Sequence, residues 1–166
     1  MLRTLTHRRL AVGGVLLVVA AAVVMWLAWL DDPAPAPRER QYKATTACLL
    51  TDDQGLAGPL AKPAWDGMQD ASLATLIKVQ HLAITGPQTA ANGLTYYNTL
   101  GVQRCTVIIA AGEVPVAAMI QGYASFPSIK QVAIHGDTKD KPITVIDTAT
   151  PDTIRNSVKT IVAAAA

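Results

Sequence analysis

Four positions in this 166-residue chain place polar side chains directly after apolar runs. Thr51, Asp52, Asp53 and Gln54 close the first run, and Gly112 with Glu113 closes another. His135 and Asp147 close two more. Carboxylates, an amide and an imidazole, beside a glycine that lets the backbone come close, can hydrogen-bond a small polar solute. Trp65 adds an aromatic face shortly after the first acids. The same residue types could serve acid–base chemistry, but their spacing argues against it. There is no Gly-x-Ser-x-Gly elbow, no phosphate-binding loop, no dinucleotide fingerprint and no Cys-x-x-Cys. Ser72, Ser125, Ser128 and Ser157 sit in or beside helical segments without a paired histidine, and His81 and His135 are far apart in sequence. No His, Cys and Glu stand at metal-ligand spacing. The sequence therefore leads us to expect a non-catalytic chain without cofactor or metal.

Alternating elements must position these residues. Short apolar runs at Thr45–Thr51, Ile77–Thr85, Cys105–Ala111, Lys130–Gly136 and Ile143–Asp147 read as strands. Pro63–Ala74 reads as a helix with Trp65, Met68 and Ser72 on one face. Pro87–Leu100 reads as a helix with proline at its first position and Gly101 as its stop. Glu113–Phe126 is a helix ended by Pro127. The last starts after Thr150 and carries Ile154, Val158, Ile161 and Val162 on one stripe. Strand–helix alternation with continuous apolar strands predicts an α/β fold whose sheet is covered on both faces. Five strands suggest a flavodoxin-like, mostly parallel sheet in the order 2-1-3-4-5. The helix-free link from Gly136 to Pro142 leaves strand 5 either antiparallel or at an edge. In such a sheet ligands bind beyond the carboxyl ends of the strands, where all the candidate residues except Trp65 fall. Helix starts at Gly86 and Gly112 would offer free N–H groups there.

The first 41 residues are of a different kind. Leu10–Leu30 runs uncharged for 21 residues, the length of a bilayer-crossing helix. Arg3, Arg8 and Arg9 precede it and Asp31 and Asp32 follow it. That asymmetry puts residues 1–9 in the cytoplasm and the rest outside, with Trp26 and Trp29 at the outer interface. The run is read as a signal anchor; a cleaved signal peptide is the other reading, and both export the remainder. No cysteine lies just after it, so no lipoprotein attachment site is read there. Residues 31–41, rich in Pro and Ala, form an extended linker. Residues 42–166 then make one domain. Net charge for the whole chain is +2, which gives no argument for nucleic-acid binding.

Cys48 and Cys105 both lie in the exported part, where an even count favours a disulfide. In the predicted order they sit on neighbouring strands, 1 and 3.

An acidic pair after strand 1 also occurs in receiver domains. Those need an aspartate where Ala110, Ala111 and Gly112 stand and a lysine where Asp147 stands, so that reading is rejected. The segments "CLLTDDQG", "AWDGM", "CTVIIAAG" and "YASFPSIKQVAIHG" instead resemble the first lobe of the basic membrane protein (BMP) family. These are substrate-binding lipoproteins of ABC transporters with a type I periplasmic-binding fold. Thr51-Asp52, Gly55, Ala64-Trp65-Asp66-Gly67, Ala111-Gly112 and Phe126-Pro127 occupy the family's places, over roughly Ala47 to Asp147. The family's Ser-Phe-Asn is absent from the loop "LAGPLAKPAW", and only one lobe is present. The resemblance implies a periplasmic-binding-protein lobe that binds or senses a small, nucleoside-like solute. Its partner would be an ABC transporter or another extracytoplasmic protein. The alternative is a structural or protein-interaction domain with a vestigial ligand site.

Overall fold

The computed structural model describes residues 19–26, 41–139 and 141–166. Residues 19–26 are helical, with Val24, Met25 and Trp26 exposed. Among the described residues no helix is long and apolar enough to cross a membrane. The expected cytoplasmic tail, most of the expected anchor and nearly all of the expected linker lie outside the described residues.

The unit from Arg40 to Ala166 is built on strands β1 (Thr46–Thr51), β2 (Lys78–Ala83), β3 (Val107–Ala111), β4 (Lys130–Ile134) and β5 (Thr144–Ile146). Its helices are α1 (Ala61–Thr75), α2 (Ala90–Val102), α3 (Glu113–Gly122) and α4 (Pro151–Ala163). The strands stand in the order β2-β1-β3-β4-β5. Every adjacent pair is parallel, with Cys48 opposite Gln80 on one side and Ile108 on the other. β5 is thus an edge strand and parallel. The nine residues 135–143 between β4 and β5 can span roughly 30 Å when extended. That is enough to return the chain to the start of so short a strand without a helix.

The central strands are buried on both faces, and the period of two divides their side chains between two cores. Ala47, Leu49, Val107, Ile109, Val132 and Ile134 pack with Met68, Ala71, Ile154 and Val158 of α1 and α4. Leu50, Ile108, Ala110 and Ala133 pack with Tyr97, Leu100, Val116 and Met119 of α2 and α3. Small residues bring the helices close: a Cβ on Gly67 would overlap the carbonyl of Arg155, and one on Gly122 would overlap the ring of Tyr97. Tyr97 is fully buried, its hydroxyl has no partner, and burial pushes its pKa up to about 12. Arg155 bridges α4 to Asp70 on α1 through two hydrogen bonds of 2.8 and 3.1 Å. Those bonds hold the Asp70 carboxyl below its ordinary range.

Cys48 and Cys105 form a disulfide across 57 residues of sequence, both fully buried or nearly so. Gln80 covers it, its amide nitrogen 3.2 Å from Cys48 Sγ and 2.8 Å from the Gln103 side-chain oxygen.

α1 starts two residues earlier than expected, α3 ends at Gly122 instead of Phe126, and both boundaries of α2 differ. α2 starts at Ala90, with the Thr89 hydroxyl accepting from the Asn92 N–H, rather than at Pro87. Gly86 therefore marks no helix start. Gln88 and Asn92 side chains hold the intervening turn by donating to the carbonyls of Ile84, Thr85 and Pro87. Gly101 does not stop α2 but lies within it, because Phe126 occupies the place where its side chain would be.

Candidate functional site

The polar residues converge at the carboxyl end of the sheet, but in separate groups. Thr51 ends β1 fully buried, its hydroxyl donating to the Asp52 carbonyl at 3.2 Å. Asp52 then turns the chain: its Oδ1 accepts from the Gln54 N–H at 3.1 Å and its carbonyl from the Gly55 N–H at 3.1 Å. Leu56 and Leu60 pack onto the α1/α4 core, so the loop lies folded down against the sheet. Asp53 and Gln54 remain exposed on its outside. The other Asp52 oxygen, Oδ2, lies 3.9 Å from where a Cβ on Gly112 would stand. Asp52 and Gly112 therefore meet across β1 and β3, where the strand order reverses and open α/β sheets bind ligands.

Gly112 has φ 101° and ψ 170°, a conformation that only glycine adopts without strain. Its N–H donates to the Ile134 carbonyl at 2.9 Å, fixing the ends of β3 and β4 together. α3 begins at the next residue, Glu113, with no side chain capping it. Facing Glu113 is His135, the residue after β4, with Nε2 3.8 Å from Glu113 Oε1. Both side chains are more than half exposed. His135 is held in the left-handed region at φ 62°, and Gly136 follows at φ 125° against Val116. A left-handed histidine costs about 1–2 kcal/mol relative to glycine.

Beside this pair lies a groove of about 350 Å³. Glu113, Ala117 and Ile120 of α3, Ala90 at the start of α2, and Asp137 and Lys139 after β4 line it. Asp137 Oδ1 accepts from the Lys139 N–H at 2.8 Å, and Lys139 is itself left-handed at φ 46°. Of the expected site residues only Glu113 lines this groove. Asp137 and Lys139 had no sequence signal beyond the turn-forming Gly136-Asp137. Ala117 and Ile120 were legible as a stripe with Glu113 at helical spacing.

Two expected site residues fall elsewhere. Trp65 is half-buried against the α1/α4 core and stacks edge-on with His81 of β2, ring centres 5.3 Å apart. Asp147 accepts from the Ala149 N–H at 2.9 Å, leading into the Thr150 cap of α4. It lines a different groove of about 440 Å³ between β5 and α4, with Val145, Asn156 and Ile161. Among the described residues no group of three His, Cys, Asp or Glu could hold a metal ion.

No protein-family model matches the chain, and no curated protein matches it. The fold is similar to that of a "putative lipoprotein" fragment from Peptoclostridium difficile 630, with a TM-score of 0.61 and 14% identity. The overlap covers 73% of this chain and 98% of that one. An ABC transporter solute-binding protein from Aeropyrum pernix K1 overlaps at a TM-score of 0.49 and 18% identity, over 60% of this chain and 27% of that protein. A 5-methylthioribose transporter solute-binding protein from Thermotoga lettingae TMO, solved with 5-methylthioribose, overlaps at 0.49 and 13%, over 71% and 46%. The chain thus spans less than half the length of either solute-binding protein. At these identities the first likeness shows the fold, and the other two are too slight to argue from.

Proposed function

We propose that this protein is a non-catalytic, extracytoplasmic binding module, tethered to the membrane by residues 10–30, that takes a small polar solute at the carboxyl end of its sheet. The observation that carries this reading is the groove beside the ends of β3 and β4. Its volume of about 350 Å³ falls in the range of small-ligand pockets, and it combines an apolar floor with a few charged groups. The cysteines offer no nucleophile, being joined to each other near the opposite end of the sheet. Export is supported by that same disulfide, which suits an oxidising compartment. The tether rests on the uncharged run Leu10–Leu30 in the sequence. Membership of the BMP family, a nucleoside-like ligand and delivery to an ABC transporter complete the proposal and rest on the sequence resemblance.

One observation favours a second reading, a protein-interaction domain with a vestigial site. The Thr51–Trp65 loop is packed down on the core by Leu56 and Leu60 instead of opening a mouth at Asp52. Thermal melting of the full chain in detergent, against nucleosides, sugars and amino acids, decides between the two. A saturable rise in melting temperature with one class supports solute binding. A flat response to the whole panel, with a specific crosslinked protein partner in membranes, replaces it with the second reading.

A further inference from the structure

We infer that the amino end of the sheet docks on the anionic phospholipid surface of the membrane that holds the chain, leaving the carboxyl end turned away from it. This rests on the membrane tether in the reading above and adds a second, electrostatic contact. The placement of the cations carries it. All five strands are parallel, so their starts share one end of the unit. A basic residue stands at every start: Lys43 before β1, Lys78 opening β2, Arg104 before β3, Lys130 opening β4 and Lys141 before β5. All five are exposed, and among the described residues none of them pairs with a carboxylate. Asp52, Asp53, Glu113, Asp137 and Asp147 instead follow strand ends, and Asp152 lies in the first turn of α4. Asp66 and Asp70 of α1 are already paired, with Lys62 and Arg155. The two signs therefore separate along the strand direction.

Apolar side chains collect at the same end. The exposed large apolar residues of this unit are Tyr42, Leu73, Leu76, Val102 and Val145. All but Val145 lie beside the cations. Leu73 and Leu76 stand in the last turn and cap of α1, and Val102 is the last residue of α2. Tyr42 joins them, since the N–H of its neighbour Lys43 donates to the Leu76 carbonyl at 2.8 Å. Helix ends at this edge favour cations by themselves, but they do not account for the exposed Tyr, Leu and Val. A lipid headgroup layer takes both: phosphates meet the cations and the apolar side chains enter the interface. A hydrophilic polyanion would satisfy only the cations. The chain also joins the unit at this end, at Tyr42, 12 residues after the uncharged run Leu10–Leu30. In the tethered reading the membrane is thus the nearest anionic surface. Docked this way, the unit carries its carboxyl end further out by the length of β1, six residues or about 20 Å.

The test places the full chain in lipid discs and reads amide relaxation by NMR, with a nitroxide on the headgroup of a tracer lipid. In discs of equal phosphatidylglycerol and phosphatidylcholine, the Leu76, Lys78 and Lys130 amides should relax much faster than those of Asp53, Asp137 and Asp147. The difference should collapse in pure phosphatidylcholine, and in about 1 M salt, where charges act over only about 3 Å. Lys78→Gln and Lys130→Gln should each lower the ratio of docked to free domain about fivefold. An unchanged spectrum away from the substituted residue shows that each variant is folded. A chain that co-elutes with anionic discs but relaxes equally at both ends overturns the docking and leaves the tether standing. Equal enhancement in neutral and anionic discs overturns the anionic assignment. Polyglutamate that shifts these amides while the discs leave them unchanged assigns this end to an acidic protein and overturns the membrane contact. A chain that never enters the discs overturns tether and docking together.

Discussion

The two ends of the sheet are built on opposite principles. At the amino end the chain is closed covalently: Cys48 and Cys105 are joined, buried, and covered by Gln80. The left-handed residues there, Leu76 and Arg104, are ordinary side chains that end helices α1 and α2. At the carboxyl end the turns after β1, β2, β3 and β4 rely on Gly55, Gly86, Gly112 and Gly136 to turn left-handed, and the exceptions are His135 and Lys139. Charged side chains are exposed there and a groove opens among them. The covalent closure thus sits at one end, and the glycine-built turns with the Glu113 groove sit at the other. His135 follows β4, two strands away from stapled β1.

That contrast can be broken most strongly by removing the staple. Cys48→Ala with Cys105→Ala, across a sequence separation of 57, should cost about 4 kcal/mol in the chain-entropy relation. Urea unfolding reads the loss, and amide shifts at Glu113 and Gly136 should barely move; large shifts there would mean the two ends are not independent. A smaller effect sharpens the comparison. Leu76→Gly and His135→Gly should each stabilise by about 0.5–1 kcal/mol, because the strain relieved exceeds the chain entropy that glycine adds. Only His135→Gly should also weaken solute binding; equal effects of the two on binding would remove any special role for the histidine. The smallest effect lies at neither end. Arg155 lowers the Asp70 pKa in the fold, so the pair stabilises above the unfolded carboxylate value of 3.8 and loses that contribution as pH falls through the lower folded value. Asp70→Asn should flatten this part of the acid-side melting profile; an unchanged profile would show that the exposed pair contributes nothing measurable.

The fold was legible because its strands are unbroken apolar runs, such as Cys105–Ala111, and its last helix carries both a cap and an apolar stripe. The strand order followed from that alternation, and the neighbouring positions of Cys48 and Cys105 followed from the order. Less was visible where side chains override local preference. Pro87 has the chemistry of a first helical residue, yet Gln88 and Asn92 anchor the turn so that Thr89 caps instead. Gly101 has the chemistry of a helix stop, yet the Phe126 ring makes it a packing position. The direction of β5 depended on how far an extended link could reach, which residue types do not encode. At the site, the strand-end residues were readable as such, but their grouping was not. Trp65 looked free because its partner, His81, is distant in sequence. Asp137 and Lys139 became groove residues only through the backbone reversal at His135 and Gly136.

The disulfide also decides how the domain would respond to a mechanical load. Chain entering from the N-terminal side reaches β1 at Thr46, two residues before Cys48, and β1 lies between β2 and β3. A pull along that strand passes through sulfur to Cys105 at the foot of β3 before it can peel β1 from its neighbours. The 57-residue separation means that about 200 Å of contour length stays withheld from extension. A molecule stretched from its two termini therefore yields its outer segments and α4 while the segment between the cysteines stays locked.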